Sequence, residues 1–223
     1  MMSEAQTNAE HSVAPPVKYG PKRLAQILRG GGVVALPTDT FYALAACATN
    51  EEAVRRVFAI KGRPATTPVP LLIAEPADVM KYAIELTGTQ QRAVTALGQR
   101  FWPGPLSIVL KRAPIVPSIV SAGGETVALR VPDSPLVREV ARLLGAPVTG
   151  TIANRSGESP ATTAATVREA FGEALNAVAD GGTTPGGPPS TVVDLTSPAP
   201  RILRAGAISL EEISEAINDA HLN

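Results

Sequence analysis

The sequence predicts an α/β domain built on a mixed, twisted sheet flanked by helices. Two observations carry that expectation. Short runs of β-branched and aliphatic residues alternate along the chain with amphipathic segments of helical period. The amphipathic segments are bounded by residues that start and stop helices, and this interleaving is what a layered α/β domain requires.

The elements follow in order. Pro21 to Leu28 reads as a helix: Pro suits its first turn, Leu24, Ile27 and Leu28 share a face, and Gly30 to Gly32 end it. Val33 to Leu36 reads as a buried strand. Asn50 is placed to cap a helix reaching Ile60, with Glu51 and Glu52 at the positive end of its dipole. Val69 to Ile73 is expected as a strand. Thr89 to Phe101 is expected as a helix, stopped by Pro103-Gly104-Pro105. Strands follow at Leu106 to Leu110 and Thr126 to Val131. Asp133 is expected to cap a helix over Ser134 to Leu144, which Gly145 ends. Pro147 to Ile152, Ala177 to Ala179 and Thr191 to Leu195 read as extended. A capping box at Ser209 and Glu212 opens the last helix, which runs to about Ala220.

Residues 1–16 are small, polar and proline-ended, and are expected to form a disordered tail. Residues 17–223 are expected to form one domain. The Gly- and Pro-rich stretch from Gly181 to Pro189 is a loop too short to link domains.

Composition narrows the chemistry. The 223 residues are 44% hydrophobic, enough for a sizeable core, and carry 20 basic against 20 acidic side chains. That balance advertises neither nucleic acid nor membrane. Aromatic residues are 4%, which argues against a base-stacking surface. The single Cys47 excludes an internal disulfide and a Cys-rich zinc site. The only histidines, His11 and His221, lie near the two ends, which argues against Ser-His-Asp and Cys-His systems and His-based metal centres. With no apolar leader and no membrane-length run, the expectation is a soluble cytoplasmic protein. An enzyme of this composition would work by positioning and fixed charge.

Six segments could carry such chemistry. Pro37 to Tyr42 follows a buried strand, where ligands collect in α/β sheets, yet a Thr/Asp turn equally satisfies its own backbone. Lys61-Gly62-Arg63-Pro64 could clamp a polyphosphate, although cations at a helix end also complement the dipole, and spacing alone favours that second reading. Alternation puts Thr126, Ala128 and Arg130 on one strand face, so Arg130 needs a partner: a substrate carboxylate or a structural ion pair. Thr149 to Gly157 offers hydroxyls, the Asn154 amide and glycine freedom in one turn, suited to a nucleotide or to a self-capped loop. Gly187 to Asp194 and Leu203 to Gly206 are unremarkable alone. Neither a P-loop nor a G-x-G-x-x-G is present.

Taken in order, with Trp102 to Leu106 added, the segments resemble the YrdC-like family of threonylcarbamoyl-AMP synthases. Seven match over nearly the whole chain: Pro37 to Tyr42, Lys61 to Pro64, Trp102 to Leu106, Val127 to Pro132, Ile152 to Gly157, Ser190 to Val193 and Arg204 to Gly206. The resemblance implies a YrdC-like sheet around a deep, positively charged cavity. It implies L-threonine, bicarbonate and ATP as substrates, with Mg²⁺ accompanying ATP and no protein-held metal. Lys61 and Arg63 would act in catalysis. Lys61, Arg63, Thr126, Thr151, Asn154 and Arg204 would surround ATP, and Thr38, Arg130 and Ser190 would hold threonine. Trp102 to Leu106 would shape the fold. Downstream threonylcarbamoyl-transferase proteins of tRNA modification would be partners, with weak double-stranded RNA or tRNA binding and no membrane.

The chain departs from the family pattern at four places. Ile152 stands where a Ser is expected, beside a Thr151 that could supply the hydroxyl. Ala43 and Ala205 replace a Gly and a Pro, and Leu72 replaces a polar residue facing the cavity. The alternative reading is a diverged paralogue, acting on another carbamoyl substrate or as an RNA-binding module.

Overall fold

A computed structural model describes residues 19–197 and 199–219. The expected tail, both histidines and the end of the last helix at Ala220 lie outside the described residues.

The chain opens with helix α1 (Pro21–Arg29), strands β1 (Val34–Pro37) and β2 (Tyr42–Ala45), and helix α2 (Glu51–Lys61). Asn50 caps α2 as expected, its side chain accepting from the Ala53 amide at 3.1 Å. The strand expected over Val69 to Ile73 is only β3 (Leu71–Leu72), followed by a short helix α3 (Val79–Tyr82). Helix α4 (Gly88–Phe101) starts one turn-residue earlier than expected. Thr87 and Gln90 form a capping box there that the sequence reading passed over. Strands β4 (Leu106–Lys111) and β5 (Thr126–Arg130) come next.

Helix α5 (Pro135–Leu144) corrects one expectation. Its cap is Ser134, not Asp133: the Ser134 hydroxyl accepts from Val137 and donates to the Pro37 carbonyl at 2.8 Å. Pro135 at the first helical position sets the boundary one residue later. The expected run from Pro147 to Ile152 is broken at Gly150 into β6 (Val148–Thr149) and β7 (Thr151–Ile152). Helix α6 (Ala164–Phe171) was not expected. Strands β8 (Ala177–Val178), β9 (Thr191–Asp194) and β10 (Arg201–Arg204) and helix α7 (Leu210–Asp219) complete the described chain.

The strands form two mixed sheets, in the orders β7-β2-β1-β8 and β10-β9-β4-β5-β3-β6. Helices cover both faces of the first. Leu24 and Leu28 of α1 and Val137 and Val140 of α5 pack with Val34 and Leu36, while Ala53 and Val57 of α2 and Val167 and Phe171 of α6 pack with Val33 and Ala35. The second sheet is covered on one face by α4 and α7. Leu106, Ile108, Leu110, Val127, Leu129 and Val193 point into that core against Leu97 and Ile217. The period of two then sends Ser107, Val109, Thr126, Ala128, Arg130 and Val192 to the opposite face, where no helix covers them. Among the described residues, no helix is long and apolar enough to cross a membrane.

Candidate active site

The uncovered face of the second sheet walls a cavity of about 380 Å³. Its remaining walls come from the turn after β1, the end of α2, the β7 turn and the Ser190 turn. All nine residues singled out from the sequence line it: Thr38, Lys61, Arg63, Thr126, Arg130, Thr151, Asn154, Ser190 and Arg204. They come from six separate segments of the chain.

Lys61 does not cap its own helix. Gly62 takes a left-handed conformation (φ 63°) that ends α2, a geometry glycine adopts without a Cβ penalty. The Lys61 ammonium, on a 6% exposed residue, reaches across to the β7 turn instead. There it donates to the Ile152 carbonyl at 2.6 Å, the Asn154 carbonyl at 2.9 Å and Asn154 Oδ1 at 2.6 Å. Lys61 remains in the last turn of α2, but its hydrogen bonds go to the β7 turn and not to the carbonyls of its own helix. Burial, and then the neighbouring Arg63 charge, lower the Lys61 pKa to about 8.

Arg63 donates to the Thr151 hydroxyl at 3.3 Å and the Pro68 carbonyl at 3.2 Å. Thr151 thus supplies a cavity hydroxyl next to Ile152. Position 152 contributes its carbonyl to Lys61, while its side chain lines the cavity beside Ala43, its partner on β2. Leu72 adds a further apolar stretch of wall.

Arg204 donates to the Ser190 carbonyl at 2.7 Å and to the Ser190 hydroxyl at 2.8 Å. Burial, and then the charges of Arg130 and Arg63, hold its pKa below the ordinary guanidinium value. Arg130 donates through Nε to the Gly104 carbonyl at 2.9 Å and pairs with Asp39 Oδ1 at 2.6 Å. The structural ion pair left open by the sequence is therefore present, and Arg130 still lines the cavity. Thr38 likewise combines both readings. Its hydroxyl donates to the Phe41 carbonyl at 2.7 Å and accepts from the Thr40 amide, while the residue faces the cavity.

Two members escaped the sequence reading. Ser107 is fully buried with its hydroxyl 3.3 Å from that of Ser190. The signal was a lone polar residue at the cavity-facing register of an otherwise apolar strand. Asp39 was quoted only as part of a turn. Trp102 to Leu106 behaves as the shaping segment expected, with Trp102 Nε1 donating to the Leu106 carbonyl at 2.7 Å and the Gly104 amide donating to the Val131 carbonyl.

A family model described as Sua5/YciO/YrdC, telomere recombination, matches residues 26–206. The chain belongs to the Sua5/YciO/YrdC family. Among its relatives, the threonylcarbamoyl-AMP synthase of Pyrococcus abyssi is 38% identical over 199 residues, covering 89% of this chain and 57% of that protein. The threonylcarbamoyl-AMP synthase of Bacillus subtilis is 38% identical over 200 residues, with the same coverage. The chain therefore spans little more than half the length of these relatives. The structure of P. abyssi Sua5 complexed with L-threonine superposes with a TM-score of 0.83 at 38% identity, covering 88% of this chain and 57% of that one. The two mixed sheets and their helices are thus the fold of the Sua5/YciO/YrdC family.

Proposed function

We propose that this chain is an L-threonylcarbamoyladenylate synthase, a nucleotidyl-transferring enzyme that makes threonylcarbamoyl-AMP and pyrophosphate from L-threonine, bicarbonate and ATP. One observation carries the reading. Four cations, Lys61, Arg63, Arg130 and Arg204, converge on one cavity whose lining contains no acidic residue. Among the described residues, Arg130 alone of the four makes an ion pair, with Asp39 outside the lining, so the site holds more positive charge than its own groups neutralise. Such a site is built for a ligand with several negative charges, and the relatives named above are threonylcarbamoyl-AMP synthases.

The chemistry suits the residues. The amine of threonine and bicarbonate combine, with loss of water, to an N-carboxylate. One of its oxygens attacks the α-phosphorus of ATP, the bond to the β-phosphate oxygen breaks, and pyrophosphate leaves. The attacking N-carboxylate, the triphosphate and the leaving pyrophosphate are all anionic, so the protein contributes alignment and charge neutralisation. Lys61 with Asn154 and Arg63 with Thr151 form two hydrogen-bonded pairs that would hold phosphates, with Thr126 at the start of β5. Arg130, Thr38 and Ser190 line the same cavity and would take threonine. Arg204, tied to Ser190, would serve the carbamate. Magnesium would enter with the nucleotide. Release of the adenylate to threonylcarbamoyl-transferring proteins of tRNA modification, in the cytoplasm, completes the reading.

The test is pyrophosphate release from ATP and Mg²⁺, with threonine and bicarbonate added separately and together. Release is expected only with both. Release that ignores threonine would reject the reading.

Lys61 gives a pH signature. Its folded pKa lies below the free lysine value, so between about pH 8 and the ordinary lysine range the unfolded chain binds more protons, and stability rises with pH. Affinity for a polyanion moves the other way, because the ammonium loses its charge above pH 8. Titration calorimetry with ATP is expected to show affinity falling by up to about tenfold per pH unit above that point. Affinity that stays level from pH 7 to 9.5 would remove Lys61 from the nucleotide site.

A further inference from the structure

We propose that Ser107 is a positioning residue: its hydroxyl donates to Ser190 and so turns the Ser190 proton into the cavity, where Ser190 offers it to an anionic oxygen of a substrate. This assignment rests on the synthase reading above.

The sheet fixes the two serines beside each other. Ser107 lies inside β4, on the face that no helix covers. Parallel pairing sets Leu106 beside Thr191 and Ser107 beside Val192, so Ser190 enters β9 next to Ser107, with the hydroxyls 3.3 Å apart. The next residue of β4 on that face is Val109, so the strand itself has no need of a hydroxyl there.

Burial decides which hydroxyl donates. A hydroxyl carries one proton and two acceptor lone pairs, and a guanidinium only donates. Ser190 Oγ therefore accepts from Arg204 Nη2, at 2.8 Å. The contact between the serines could run either way by distance alone. Ser107 is fully buried, and its hydroxyl has Ser190 as its one partner among the described residues. Were Ser107 to accept, its own proton would be left buried without an acceptor, which carries a full desolvation penalty. When Ser107 donates, no proton is stranded, because Ser190 lines the cavity and solvent or a ligand can take its proton.

Both lone pairs of Ser190 are then filled, one by Arg204 and one by Ser107. Its remaining capacity is to donate, and two donors on one oxygen strengthen that oxygen's own O–H as a donor. In a cavity lined by four cations and no acidic residue, the acceptor it meets is a carboxylate, carbamate or phosphate oxygen.

Pyrophosphate release tests this, with the KM of threonine, bicarbonate and ATP measured in turn for the wild type, Ser107→Ala, Ser190→Ala and the double variant. Ser107→Ala is expected to raise the KM of one substrate by about three- to tenfold, the same one that Ser190→Ala raises, and to leave the melting temperature near that of the wild type. That substrate identifies the oxygen: carboxylate for threonine, carbamate for bicarbonate, phosphate for ATP. In the Ser190→Ala background, Ser107→Ala is expected to add nothing, since it acts through Ser190. Unchanged KM values, or a Ser107→Ala effect that persists in full without the Ser190 hydroxyl, would overturn the assignment. So would a uniform loss that follows the melting temperature. Should Ser107→Ala not fold, neutron diffraction from the wild type reads the two deuterons directly. The Ser107 deuteron is expected on the line to Ser190 Oγ, and the reverse orientation overturns the assignment. A wild type whose pyrophosphate release ignores threonine rejects the synthase reading itself, and the Ser107 assignment with it.

Discussion

Arg63→Ala should release pyrophosphate about a hundred- to a thousandfold more slowly than the wild type, with the fold intact. Removing one preformed donor from a developing negative charge in a sheltered site costs roughly 3 to 4 kcal/mol of transition-state stabilisation. The protein loses little else. Arg63 makes only two hydrogen bonds, both longer than 3 Å, and neither joins two elements of the core. Turnover by coupled pyrophosphate detection and melting by circular dichroism should therefore separate: rate down, melting temperature nearly unchanged. A variant that turns over within a few-fold of wild type would show that Arg63 serves the loop through Pro68 and not the substrate.

Gly206→Ala should have the largest effect on stability, for a reason that lies wholly in the backbone. A Cβ at 206 would sit 2.2 Å from the Pro189 carbonyl oxygen and 2.5 Å from both the Ser190 carbonyl carbon and the Thr191 nitrogen. No side chain can swing aside to relieve such contacts, so β10 must shift away from β9. Overpacking of this kind costs about 3 kcal/mol, which for a chain of this size is roughly 6 to 12 °C in melting temperature. The same shift moves Arg204 off the Ser190 carbonyl and hydroxyl that it grips, so activity should fall beyond what the loss of folded protein explains. Thermal denaturation with turnover measured well below the transition checks both. An alanine variant that melts with the wild type would mean that the chain can open the 189–206 contact freely.

The framework was readable from the sequence wherever one local signal set the outcome. Asn50 before two glutamates, and Ser209 three residues before Glu212, mark helix starts that the structure keeps. Ser134 against Asp133 was a contest between adjacent capping residues, decided by Pro135. Helix α6 was missed although Ala164, Val167 and Phe171 keep a helical period behind a Thr163 cap, because it is only 8 residues long and follows a run of Thr, Ala and Pro that reads as loop. Strand β2 was missed because Tyr42 to Ala45 is buried throughout and shows no alternation. Strand β10 pairs only at the sheet edge and carries two arginines. The nine site residues were found by motif order and by alternation along β5, and they do meet in space. Asp39 was not found, because its partner Arg130 lies 91 positions away and nothing local announces the pairing.

The three carbonyl oxygens around the Lys61 ammonium give the site a threshold for occupancy. An incoming anion does not meet a bare charge. It must displace Asn154 Oδ1 or a main-chain carbonyl from a shell already complete, since an ammonium has three donors and all three are engaged. Chloride or a single carboxylate gains little by that exchange. On the function proposed above, a triphosphate, which would engage several cations at once, would gain enough to make it, and the self-solvated lysine would then filter for multivalent guests over monovalent ones.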